Sequence, residues 1–305
     1  MFISVMLIVA ALLPAIVLCV YIYKQDRVEK EPLGLLIKLL LGGALICVPL
    51  AIIFEVLFSS LVTEPLFERF ILGYDSMKNP VFSDSVRHAR DFVEYFFGVG
   101  LIEEAVKFVV LIWFTRKSRE FNSLFDGIIY SIFVSLGFAG LENIFYVLEN
   151  GFVNAVTRAV LSVPGHMFFA VMMGYYYSLW HISDKAALME KFYKAEGLIN
   201  LTAPEFKSGK YVALSLIVPT LAHGTYDFCC VYGTNLSLLI LIAFVIFMYV
   251  HCFGKIKRMS VSDAPTTDYA YAMLTRKYPT LPDAINAQKT VSGEDTSDTQ
   301  VFYDI

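Results

Sequence analysis

Glu103, Glu104 and Lys107 lie in the middle of a mostly apolar run between Phe92 and Trp113. A charged side chain at the centre of a bilayer costs about 2.5 kcal/mol or more on insertion scales, so such groups persist where they face protein or water and do work there. Lys107 follows Glu103 by four residues and Glu104 by three, and on a helix either spacing lets the ammonium reach the carboxylate. Two adjacent carboxylates in low dielectric repel each other, and the lysine offsets that repulsion. One of the pair can then serve as general acid or base near neutrality. His223 and Asp227 are spaced i,i+4, which suits two ligands of a transition metal, or an imidazole with the acid that orients it. His166, in Pro164-Gly-His166, and Glu142-Asn143, after Phe138-Ala-Gly-Leu, add further polar groups in apolar surroundings.

Each group has a structural reading of its own: an interhelical salt bridge for the Glu103–Glu104–Lys107 run, a hydrogen-bonded core histidine for His166, an isolated polar pair for His223 and Asp227, and a bond to a neighbouring helix for Glu142-Asn143. Their agreement in depth favours a shared site. With a helical rise of about 1.5 Å per residue, Glu103 falls about 16 Å below the outer end of its span, Glu142 about 9 Å, His166 about 10 Å, His223 about 12 Å and Asp227 about 6 Å. Packed together, four helices satisfy one another's polar groups; apart, each group is a costly orphan.

The elements that must position them are membrane spans. The chain is 57% hydrophobic and 17% charged, against about 25% charged in soluble domains. A span needs about 20 mostly apolar residues. The hydropathy predicts an all-α polytopic bundle of about seven: Phe2–Tyr23, Leu33–Leu57, Phe92–Phe114, Leu124–Leu148, Ala159–Leu179, Tyr211–Val231 and Leu236–Phe253. The first lacks a basic n-region and a cleavage site and reads as an anchor. Seventeen lysines and arginines fall on the side holding the Lys24–Glu31 loop and five on the other. The positive-inside rule then puts the N-terminus outside and the C-terminus in the cytoplasm.

Residues 1–254 form the expected transmembrane bundle, and 255–305 a cytoplasmic polar tail whose last part reads as disordered. Between spans lie an extracytoplasmic loop, Thr63–Asp91, and a cytoplasmic one, His181–Lys210, expected to be an amphipathic helix and a turn around Pro204. Asp126, near the cytoplasmic face, is read as a helix cap or a partner for Lys38. Glu55 and Glu94, toward the outer ends, are read as solvated. The five cysteines show no metal-ligand spacing and read as small buried hydrophobes. No basic patch argues for nucleic acid.

Glu103-Glu104-Ala-Val-Lys107 matches an EExxK motif, Phe138-Ala-Gly-Leu-Glu142 an FxxxE motif, and Pro164-Gly-His166 and His223-Gly-Thr-Tyr-Asp227 supply histidines in order. With Asp126-Gly-Ile-Ile-Tyr130 and the charged turn before Pro32, the chain resembles the PrsW family of intramembrane proteases, related to the CAAX-protease and bacteriocin-processing superfamily. The resemblance covers about Lys24 to Phe253. It implies a peptide hydrolase of the bacterial plasma membrane that cuts membrane-anchored proteins, anti-sigma factors among them. By similarity Glu103 and Glu104 do the acid/base work, and His166 and His223 bind metal or the substrate oxyanion. Glu142 and Asp227 stand where CAAX-type relatives carry histidine and asparagine, which favours a metal set. The expectation is an endopeptidase with zinc ligands His166, His223 and a carboxylate from Glu142 or Asp227, with Lys107 and Asn143 supporting. Its site lies in the outer half of the bilayer, and the substrate helix must unwind to expose the scissile amide. A variant without metal has His223 and Asp227 donating to the oxyanion. Readings from other classes are an ion- or proton-coupled transporter or channel and a scaffold that binds a partner's span; the sequence shows no repeat to support the transporter.

Overall fold

In hydrocarbon every backbone polar group must be satisfied within the chain, so the apolar runs of this sequence form long helices. The computed structural model describes residues 2–203 and 205–292. Its helices are α1 (Phe2–Gln25), α2 (Leu33–Phe70), α3 (residues 84–115), α4 (Asp126–Val160), α5 (Ser162–Ala195), α6 (Gly209–Tyr232), α7 (Asn235–Val261), α8 (Thr266–Lys277) and α9 (Leu281–Ser292). A small antiparallel hairpin, β1 (Gly73–Tyr74) with β2 (Pro80–Val81), supplies the only strands among the described residues.

Helix α4 is the axis of the bundle. Every residue from Asp126 to Gly140 is buried, and α1, α2 and α5 pack around it. Helix α5 carries the next layer, with α6 against its first half. Helices α3 and α6 cross at glycines. A Cβ on Gly224 would stand 2.7 Å from the ring of Phe96, and one on Gly100 would stand 3.1 Å from the Gly224 nitrogen. Only glycine permits that approach, which brings the two helices' polar residues within reach of each other.

Five helical stretches among the described residues are long and apolar enough to cross a membrane: Val5–Gln25, Leu33–Phe70, Asp126–Ala195, Gly209–Tyr232 and Asn235–Val261. The expected count was about seven, and the difference has two causes. The expected third span lies in α3, where Glu103, Glu104 and Lys107 remove it from any purely apolar count. The expected fourth and fifth spans are α4 and α5, which run together into one stretch of 70 residues.

Helices also outlast their hydropathy. Helix α5 continues to Ala195, through the first half of the expected loop His181–Lys210, because its far end finds its own apolar partners. Ile182, Ala186 and Met189 pack with Ala270, Leu274 and Leu281 of the tail. Glu190 of α5 accepts from Lys277 Nζ (2.9 Å) and from the backbone N–H of Phe206 (2.7 Å). The tail is therefore helical through Ser292; residues 293–305 and Pro204 lie outside the described residues. At the same end of the bundle Asp126 is the first residue of α4 and not its cap: no side-chain cap bond closes the helix, and the Asp126 carboxylate instead accepts from the backbone N–H groups of Asn122 (2.9 Å) and Ser123 (2.6 Å) in the turn before it. Tyr130 of α4 donates to Glu31, at 2.5 Å, across to the turn before Pro32.

Candidate active site

The stretch Glu94–Leu101 of α3 is wound as a wide π-helix, and a regular α-helix resumes at Ile102. Wide turns of this kind recur at functional sites because they rotate the residues that follow. Here Glu103, Glu104 and Lys107 turn inward toward α5 and α6, and with His166 and His223 none is more than 5% exposed.

Lys107 stands at the centre. Its ammonium donates to Glu103 Oε2 (3.0 Å), Glu104 Oε1 (2.9 Å) and His166 Nδ1 (3.3 Å), and lies 4.1 Å from the centre of the Phe138 ring. His223 donates through Nδ1 to Glu104 Oε1 (3.0 Å), and its Nε2 faces Asp227 Oδ2 (3.2 Å) and, farther off, Glu103 Oε2 (3.9 Å). His166 donates through Nε2 to Glu142 Oε2 (3.0 Å). The two imidazole rings meet edge to face with centroids 5.2 Å apart, and Phe169 stacks on His223 at 4.8 Å. Four helices thus deliver all six of the expected acids and imidazoles to one place.

Ligand atoms of Glu103, Glu104, His166 and His223 lie within 4.8 Å of one another. Glu142 and Asp227, expected to supply a third ligand, lie outside this set, and each holds an imidazole instead. The donor types suit a divalent transition metal. One observation shows capacity to spare: Glu104 Oε2 is buried and accepts no hydrogen bond among the described residues, a costly state for a carboxylate oxygen unless a cation meets it. Asn143, expected to support the site, donates to the carbonyl of Ala11 on α1 (2.7 Å) and so ties α4 to α1.

A cavity of about 460 Å³ borders the cluster, walled by Glu55, Glu103, Glu142, His166, His223 and Asp227 among others. Of the paired glutamates, Glu103 faces the cavity and Glu104 stands behind it. Two wall residues were not expected. Glu55 was read as solvated, and Arg158 entered only as one of the five basic residues opposite the Lys24–Glu31 side. The available signal for Arg158 was its sign: it is a basic residue on the side expected to be translocated, against the prevailing asymmetry, eight positions before His166.

The family model described as PrsW family intramembrane metalloprotease matches residues 31–252. Curated relatives agree. Protease PrsW of Oceanobacillus iheyensis is 31% identical over 249 residues, covering 82% of this chain and 94% of that protein. Protease PrsW of Geobacillus kaustophilus is 32% identical over 221 residues, covering 72% and 78%. Protease PrsW of Bacillus subtilis is 28% identical over 250 residues, covering 82% and 93%. No solved structure matches the chain. The buried Glu/His cluster lies within the matched region, and the chain belongs to the PrsW family of intramembrane metalloproteases: it is an integral bacterial membrane protein and a membrane-embedded peptidase.

Proposed function

We propose that this peptidase hydrolyses a peptide bond near the extracytoplasmic end of a single-span membrane protein, an anti-sigma factor in the bacterial setting, with Glu103 as general acid/base. The observation that carries the reading is the meeting of Glu103, Glu104, His166 and His223 within 4.8 Å beside a cavity of about 460 Å³. Seven membrane passages fit the reading: the five apolar stretches, with α4 and α5 counted separately, plus α3. The N-terminus is then outside, and residues 255–305 lie on the cytoplasmic side.

Glu103 takes a proton from the attacking water as its oxygen adds to the scissile carbonyl carbon. It returns that proton to the leaving amide nitrogen as the carbon–nitrogen bond breaks. His223 is held between Glu104 and Asp227. Lys107 keeps the two glutamates at fixed positions. His166, His223 and the unpartnered oxygen of Glu104 are the residues that would hold a divalent ion, zinc by the chemistry of the donors, with Glu142 and Asp227 orienting the imidazoles. When bound, such an ion supplies Lewis-acid polarisation of the scissile carbonyl and of the attacking water.

The test is cleavage of a tagged single-span anti-sigma factor co-expressed in bacterial membranes. Glu103→Gln keeps size and hydrogen bonding and removes the base, so cleavage should fall by at least about 100-fold, the scale of a lost acid/base, in protein that still folds. Wild-type cleavage by Glu103→Gln rejects the assignment.

A further inference from the structure

Helix α4 does not run straight. Gly151 has φ +78° and ψ −168° within it, a backbone conformation essentially reserved for glycine. On a straight helix Arg158 would lie about 22 Å from Asn143 along the axis. Instead its Nε donates to Asn143 Oδ1 at 2.9 Å and its Nη2 to Glu142 Oε2 at 2.8 Å, across 15 and 16 residues. The guanidinium also lies 3.9 Å from the centre of the Tyr146 ring. Ala155, between hinge and arginine, packs with Val147 and Ala11. The segment 152–160 therefore turns back at Gly151 onto the helix that precedes it, and Thr157 and Arg158 become part of the cavity wall.

Glu142 Oε2 receives two donors, Arg158 from one side and the His166 Nε2–H from the other. That second bond decides which nitrogen of His166 carries the proton. With Nε2–H committed to Glu142, the Nδ1 lone pair points at Lys107 and the paired glutamates. Histidines that ligate metals are oriented in this way, by a carboxylate that is itself hydrogen-bonded, and loss of such an outer partner typically costs 10–100-fold in metal affinity.

We infer that Arg158, returned to the cavity by the Gly151 fold-back, is a positioning residue that locks Glu142 onto His166, so that the metal set is complete only when segment 152–160 is folded against the site. The inference rests on the metal-binding reading above. It makes Arg158 act through Glu142 and not by touching substrate or metal. It also makes closure of the outer segment and assembly of the site one event.

The experiment is zinc binding to the purified full-length protein in detergent, measured by competition with a chromophoric chelator. Arg158→Gln should weaken zinc binding 10–100-fold. In the Glu142→Gln background, which already lacks the carboxylate that Arg158 holds, Arg158→Gln should produce no further loss. Equal losses in both backgrounds would show that Arg158 acts independently of Glu142 and would overturn the inference, as would zinc binding by Arg158→Gln at wild-type affinity. If Arg158→Gln does not fold, Arg158→Lys is read in the same two backgrounds. One ammonium cannot bond Glu142 and Asn143 in Arg158's geometry, so the loss should be smaller and again confined to the wild-type background. Failure of the wild-type protein to bind zinc would instead reject the metal reading itself, together with this inference.

Discussion

Replacing Lys107 by methionine removes the one ammonium in the centre of the cluster and keeps the side chain's length and apolar stem. Lys107 is 1% exposed, so water cannot replace it without opening the bundle. Glu104 keeps its bond from His223. Glu103 keeps nothing closer than His223 Nε2 at 3.9 Å and is left as a nearly uncompensated buried carboxylate. Breaking a buried ion pair by removing one partner costs about 3–5 kcal/mol, against about 0–1 kcal/mol at a surface. Glu103 borders the cavity, which places Lys107→Met near the lower end, at about 3 kcal/mol or about a 150-fold fall in the folded-to-unfolded ratio. The assay is reversible unfolding in mixed micelles with a metal chelator present. A second substitution sharpens it: Glu103→Gln added to Lys107→Met removes the stranded charge, and most of the lost stability should return as a favourable coupling energy. A loss below about 1 kcal/mol for Lys107→Met, the range of an exposed pair, or no recovery in the double variant, would refute the claim that the ammonium compensates the glutamates.

Gly224→Ala should separate α3 from α6. Its Cβ would lie 2.7 Å from the Phe96 ring and 3.0 Å from the Phe96 Cα, so backbone must shift, and overpacking of this kind costs about 1–3 kcal/mol; because the same crossing sets the Glu104–His223 distance, cleavage should fall more than stability, and full cleavage by the variant would contradict the crossing's role. Glu31, in the turn between α1 and α2, is buried beside Asp126, and burial together with that charge pushes its carboxyl from 4.5 up to about 9. An acid raised in the folded state contributes stability that is complete below pH 4.5 and lost as pH rises toward about 9. Glu31→Gln should therefore flatten the fall in melting temperature between those limits, and parallel curves for variant and wild type would exclude the effect.

The site was legible because charge in an apolar run is expensive. Glu103, Glu104 and Lys107 stand out for that reason, and the depth of His166 and His223 could be counted from span ends. The division of labour among the acids was not legible. Whether Glu142 and Asp227 touch a metal or an imidazole depends on side-chain direction, which spacing along one helix does not specify. The span ending at Leu179 and the amphipathic helix expected after it are one continuous α5: hydropathy marks where lipid stops, while Ile182, Ala186 and Met189 keep α5 helical by packing on the tail. For Arg158 only its sign stood out, and its role was not legible. Its place in the cavity wall depends on a single positive φ at Gly151, and a lone glycine between Asn150 and Phe152 is also what an ordinary loop would carry.

The central claim is that these helices assemble one metal-dependent hydrolytic site. The most direct test is to measure metal content and substrate cleavage on the same purified preparations of wild type, His223→Ala and Glu103→Gln. The account predicts about one zinc per chain and cleavage in wild type, loss of both in His223→Ala, and retained zinc without cleavage in Glu103→Gln. A preparation stripped of metal that cleaves at the full wild-type rate would contradict it.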